Sequence, residues 1–216
     1  MSPFRRTPRG RESVTRYCGY VRQQRPQGQW FTSETGQRWW FDPGALSLDF
    51  AYTGAMPPQP ESWSTPVDLG AWLAGRFEEV DAAVTERDLT DARALRSALA
   101  AAFLRRSLGE EPEPDDVDMI NLFAATPDIP PALAGGRRQA GRTRARPSQA
   151  LSTLAREAIV RLDDEHRARI RACEADDCGY VFYDESRSAN RRWCSMQRCG
   201  NRAKVRKHRA LKQSAA

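Results

Sequence analysis

Cys173-Glu-Ala-Asp-Asp-Cys178 and Trp193-Cys194-Ser-Met-Gln-Arg-Cys199-Gly200-Asn201-Arg202 set two cysteine pairs fifteen residues apart, with four residues inside each pair. The pattern C-x4-C-x15-C-x4-C is close to the paired knuckles that hold one tetrahedral zinc. Zinc has no ligand-field preference, so two tight backbone turns that each present two thiolates can close the site. Two disulfides are the competing reading, and they need an oxidising compartment. The stretch MSPFRRTPRGRESVTRY is basic with no apolar region behind it, so a cytoplasmic setting is expected and zinc is favoured. The expected ligands are Cys173, Cys178, Cys194 and Cys199. Four cysteines leave no open coordination position, so the single Zn2+ is expected to be structural. Cys18 stands far upstream and is read as an ordinary thiol.

Between the pairs, Gly179-Tyr-Val-Phe-Tyr183 has strand composition and Asp184-Glu-Ser-Arg-Ser-Ala-Asn190 is turn-rich. From Asn201 to Lys212 there is neither Pro nor Gly, which predicts a helix with Asn201 as its N-cap. A knuckle, a hairpin, then a second knuckle opening a helix is the order of a treble-clef-like finger. Arg202 and Lys204 fall in the first helical turn, where cations oppose the helix dipole. A zinc with four thiolates carries a formal charge of about −2, which would offset that penalty.

The run C-x4-C-G-x-V-F-Y-D-x-S-R, followed by R-R-W-C-S-M-x-x-C-G-N-R-A-K-V-R, resembles the CGNR zinc finger over about residues 171 to 209. In that bacterial family the finger usually follows an ABATE domain, and such proteins are expected to act in stress-induced transcription regulation. The resemblance implies zinc and DNA binding. Leu48-Asp49-Phe50-Ala51-Tyr52-Thr53 resembles the L-D-F-x-N-T opening of the ABATE domain, with Tyr52 where the family has Asn. The expected organisation is a basic flexible arm (1–28), an ABATE-like α+β domain (29–165) and the finger (166–213).

The expected fold class is α+β: an N-terminal small antiparallel sheet covered by helices, plus the C-terminal four-cysteine finger. Gln29-Trp-Phe-Thr32 and Arg38-Trp-Trp-Phe41 read as a hairpin. Ala45 to Thr53 reads as a third strand, with Leu46, Leu48 and Phe50 alternating onto one face. Trp39 and Trp40 should point opposite ways, one to the core and one to a pocket wall or interface. Thr65-Pro66-Val67-Asp68 is a helix start, with the helix running to about Ala74. Leu89 to Leu108 reads as a longer helix with Leu95, Leu99, Ala102, Phe103 and Arg106 in register, ended by Gly109. Pro114 to Ala125 is a third, with Val117, Ile120 and Ala124 on one stripe. Ser148 should cap a fourth that runs to about Asp164 and buries Leu151, Leu154, Ala155, Ala158, Ile159 and Leu162. Arg137 to Arg146 holds five Arg with little apolar patterning and reads as a loop.

Charge separates the two halves. The 216-residue chain has a net charge of +6, yet residues 167–216 hold 13 Lys/Arg against 5 Asp/Glu. The basic excess therefore lies on the finger and favours a polyanionic partner. Arg191, Arg192, Arg202, Lys204, Arg206, Lys207 and Arg209 are the candidate nucleic-acid contacts, with Arg202, Arg206 and Arg209 sharing one helical face. No apolar run approaches the ~18 residues of a membrane span. Only two histidines occur, His166 and His208, neither beside a nucleophile, and no phosphate loop, G-x-S-x-G or H-E-x-x-H is present, so no enzyme is expected. The expectation is a regulator that binds double-stranded DNA, with an N-terminal domain for a small-molecule ligand or association. The alternative is a zinc-finger interaction module for protein or RNA with no operator.

Overall fold

The structure is a computed structural model. It describes residues 27–213 apart from 33–35, 37, 58, 78–79, 82 and 131–143. The basic arm up to residue 26 and most of the Arg137–Arg146 segment lie outside the described residues.

The hairpin pairs β1 (Gln29–Thr32) with β2 (Arg38–Phe41) antiparallel, with Trp30 opposite Trp40 and Phe31 opposite Trp39. Phe31, Trp39 and Phe41 are buried. Trp30 is exposed, and Trp40 is half-buried at the rim of a groove. Alternation therefore splits Trp39 from Trp40 as expected.

The predicted third strand is instead a helix, α1 (Leu46–Ala51). All six of its residues are buried. Alternation is informative only when the intervening positions face water. Here they do not. Ser47 binds the Glu157 carboxylate through its amide (3.0 Å) and its hydroxyl. Asp49 accepts from Arg76 Nη2 at 3.0 Å and from Gln29 Nε2 at 3.0 Å. The polar residues that mimicked a solvent face are buried anchors, and the first sheet has two strands among the described residues.

α2 (Pro66–Arg76) starts as the sequence predicts: Asp68 Oδ2 accepts from Thr65 N at 2.8 Å. α3 (Glu86–Ser107) begins a turn earlier than expected, because Thr85 and Asp88 form the capping box. Leu95, Leu99, Ala102 and Phe103 are buried along it. In α4 (Pro114–Ala124) Ile120 is buried, while Val117 is exposed. α5 (Pro147–Leu162) starts one residue before the expected Ser148 cap; Gln149 Oε1 closes the turn by accepting from Arg146 N at 3.0 Å. Ile159 points out of the predicted stripe. α3 packs against α4, α5 and α1, so these helices make one bundle.

A single turn of tight helix, Arg167–Arg169, leads into β3 (Ile170–Ala172), which pairs antiparallel with β4 (Val181–Tyr183). This hairpin brackets the first cysteine knuckle, whereas the sequence reading put the hairpin after it. A π-helical turn, Met196–Gly200, runs directly into α6 (Asn201–Gln213). Asn201 is therefore not the N-cap. Ser195 is: its hydroxyl accepts from Gln197 N at 3.2 Å.

The buried residues of the bundle and of the second hairpin form one cluster. Tyr52, at the end of α1, donates its hydroxyl hydrogen to Val181 O (2.9 Å) and accepts from Val181 N (2.7 Å). Tyr183 N donates to Pro43 O at 2.7 Å. Tyr180 lies among Phe31, Trp39, Phe41 and Tyr52. Gly44 meets β4 so closely that a Cβ would sit 2.1 Å from Tyr183 O, and its φ of +78° independently favours glycine.

Candidate metal centre and the surface around it

Two backbone arrangements bring the cysteines together. Cys173 N donates to Tyr180 O (2.8 Å) and Cys178 N to Ala175 O (2.9 Å), so the first knuckle folds back across the base of the β3–β4 hairpin. Cys194 N donates to Cys173 Sγ (3.3 Å), and Gly200 N to Ser195 O (3.1 Å). Gly200 sits under Met196, where a Cβ would lie 2.6 Å from the thioether sulfur.

The four Sγ atoms lie within 4.8 Å of one another, and Cys173, Cys194 and Cys199 are buried. Cys178 Sγ is 3.6 Å from Cys194 Sγ, which is 3.5 Å from Cys199 Sγ. Zn–S bonds of ~2.3 Å place tetrahedral sulfurs ~3.8 Å apart. The spacing therefore fits one zinc, and all four cysteines are free of disulfides. Without a cation the thiols would compete for protons. Hydrogen bonds from Cys178 and Cys194 draw Cys173 down, while hydrogen bonding with Cys173 pushes Cys178 up to about 12 and also pushes Cys194 up. A divalent cation removes that conflict by holding all four as thiolates. The zinc is structural, since the donor set is complete.

The basic residues around the centre divide into internal and outward groups. Arg202 Nη2 donates to Cys199 Sγ at 3.2 Å, and its guanidinium grips Asp177 at 2.6 and 3.2 Å. Hydrogen bonding to Cys199 raises the Arg202 pKa, so the charge is held beside the thiolates. Arg191 is stacked over Phe182 at 4.2 Å and donates to Trp193 O (3.0 Å), Asp42 O (2.9 Å) and Cys194 O. Arg169 and Arg171 donate to carbonyls of the 184–191 loop. Arg192 pairs with Glu174 at 2.6 Å. The charge count had treated all of these as available for a partner.

α6 presents the outward group. None of its residues is buried, and its sequence NRAKVRKHRALKQ has six Lys/Arg and no acid. Arg206 lies 3.8 Å from Asp177 and 3.9 Å from Asp176, on the side facing the first knuckle. At 100° per residue Lys204 and His208 fall on the opposite side and Lys207 on the flank between. No ion pair among the described residues engages Lys204, Lys207 or Arg209.

Asp184 is a site residue that sequence reading passed over. It is fully buried; its carboxylate accepts from Ser186 N (2.9 Å) and Arg191 N (2.7 Å) and so closes the loop before the second knuckle. Its position after a strand in a turn-rich run was the available signal.

Two family models match the chain. The CGNR zinc finger matches residues 169–212. The ABATE model, described as "Putative stress-induced transcription regulator", matches residues 44–165, more than half of the chain. Comparison with curated proteins finds no match.

Proposed function

We propose that this chain, which belongs to the ABATE family and carries a CGNR zinc finger, is a transcription regulator that binds double-stranded DNA through α6. One observation carries the reading: a thirteen-residue helix with no buried side chain and no acid leaves the zinc centre with Lys204, Lys207 and Arg209 unpaired by any described carboxylate. An amphipathic core helix would bury a stripe, and a solvated helix would mix charges. A helix ~20 Å long can lie in a major groove or along a phosphate backbone.

Lys204 and Lys207 are the proposed first contacts, with Arg209, on the face of Arg206, adding a flanking contact and Arg206 joining by exchanging its long ion pairs for a phosphate. Arg191 and Arg202 build the finger, and Arg192 reaches a phosphate only by leaving Glu174. No helix among the described residues is long and apolar enough to cross a membrane. A cytoplasmic location, where DNA is accessible, belongs to the same proposal.

The test is a salt titration of duplex binding by the wild-type protein, Lys204→Ala/Lys207→Ala and Arg202→Ala. Phosphate contacts predict that the lysine double variant keeps its zinc and loses about one unit of log-affinity versus log-salt slope per lysine, on any sequence. Arg202→Ala should instead loosen zinc. Unchanged duplex affinity and slope in the lysine variant would remove α6 as the contact.

A further inference from the structure

Beside the zinc centre an open groove of about 600 Å³ runs between the first hairpin and the second knuckle. Trp40 from β2 and Trp193 both line it, and Met196, 51% exposed, lies in the same groove. The aromatic surface continues outward, because Trp30, 56% exposed, packs edge-on against Trp40 with ring centroids 5.5 Å apart. Arginines are layered on these rings. Arg38 lies 5.1 Å over Trp30 and Arg192 lies 5.2 Å over Trp193. Asn190 and Gln197 add polar groups at the edge. Gln197 also lines a second open cleft, of about 400 Å³, together with Arg198, Arg206 and Arg209. Two carboxylates are present. Asp42 lines the groove, with one oxygen accepting from Gly44 N at 2.8 Å, and Asp177 in the second cleft is gripped by Arg202.

We propose that this groove binds unpaired nucleotides of single-stranded DNA, with bases stacked against Trp40 and Trp193 and the backbone passing Gln197 into the arginine-lined cleft. Tryptophan surface left open to water is costly, and one exposed and two half-buried tryptophans around one groove, with arginines over two of them, mark an interface. Sites for unpaired strands combine aromatic platforms with a cationic track, since every base has a π-face and every step carries a phosphate. An apolar peptide would use the tryptophans but would leave the adjoining arginine cleft without a counterpart. The volume lies within the ~300–1,000 Å³ range of ligand clefts. The choice of DNA over RNA rests on the duplex reading of α6; the aromatic groove uses different residues, while the adjoining cleft shares Arg206 and Arg209 with that reading.

Zinc-loaded full-length protein is titrated with dT8, rU8 and a blunt 20-base-pair duplex at low salt, reading tryptophan emission and the anisotropy of end-labelled strands. The proposal expects dT8 to bind and quench emission, with Trp40→Leu weakening dT8 about tenfold or more. Met196→Glu, which puts an anion in the groove at an exposed position, should weaken it similarly and keeps the test informative if Trp40→Leu unfolds the hairpin. Lys204→Ala/Lys207→Ala should weaken the duplex and leave the dT8 quench in place. Loss of the duplex effect with a surviving dT8 quench would defeat the α6 reading alone. Absence of dT8 binding, tighter binding of rU8, or wild-type dT8 affinity in Met196→Glu would overturn the groove proposal.

Discussion

Tyr52→Phe tests how the finger is joined to the helical bundle. The substitution keeps the ring, which stacks against Tyr180 at 5.6 Å and 19°, and removes one oxygen. That oxygen is both donor and acceptor for Val181 in β4, and the side chain is fully buried. Burial pushes the phenol well above its ordinary pKa, so it stays protonated and able to donate. Phenylalanine strands a buried N–H and a buried C=O on one residue. Each stranded group costs about 1–3 kcal/mol, and the two together, relaxing in part, cost ~2–4 kcal/mol. For a chain of this size each kcal/mol moves Tm by ~2–4 °C, so the expected fall is ~4–16 °C. Helical circular dichroism and zinc release to a chromogenic chelator should be followed in the same thermal ramp. Both should shift together, because β4 belongs to the same core as α1 and α3. A Tm within ~1 °C of wild type, or zinc release that shifts while the helices do not, would refute the reasoning.

Two further outcomes follow from the finger. Cys194→Ser, or full removal of zinc by a chelator, should lower the Tm of the helical signal as well as release the metal, because Tyr180 and Phe182 lie in the shared core. A helical Tm unchanged after complete zinc loss would show that the bundle holds without the finger. Asp184→Asn should cost about 1–3 kcal/mol at neutral pH, since an amide can face only one of the two N–H groups with an oxygen. Burial opposes ionisation of Asp184, but hydrogen bonds from Ser186 and Arg191 hold its pKa below the usual carboxylate value. A depressed folded pKa gives stability that is present above the unfolded value of about 4 and lost as pH falls through the folded one. The gap between Asp184→Asn and wild type should therefore narrow below about pH 4, and a gap that widens in acid would contradict the assignment.

The zinc site was legible because its chemistry is local. Four cysteines in two equal pairs state the ligand set; the hairpin around the first pair and the cap of the last helix were misplaced. The hairpin closes through β3, which lies before Cys173 and carries three residues, too few for alternation to show. The cap at Thr65 and Asp68, whose side chains reach only three positions, was legible, while the box of the same reach at Thr85 and Asp88 was passed over in favour of the apolar run from Leu89. α1 was not, because Ser47 and Asp49 answer to Glu157 and Arg76, which are 110 and 27 residues away. No local pattern separates a polar residue that faces water from one that faces a distant partner.

The same blindness explains the basic face. A sequence count credits every arginine of the finger to a partner, but a closed loop of irregular backbone leaves carbonyls that need donors. Arg169, Arg171 and Arg191 supply them at Asp184, Ser186, Ala189, Arg191, Trp193 and Asp42. Arg202 answers to the cluster itself, through Cys199 Sγ and Asp177, and because the helical run is already capped at Ser195 it lies beyond the positive end that would oppose a cation. Of the basic residues in the finger, those that bind its own carbonyls and sulfurs set its shape. Those on the far side of α6 set what it can approach, because lysines with no internal acceptor have only solvent or a polyanion to meet.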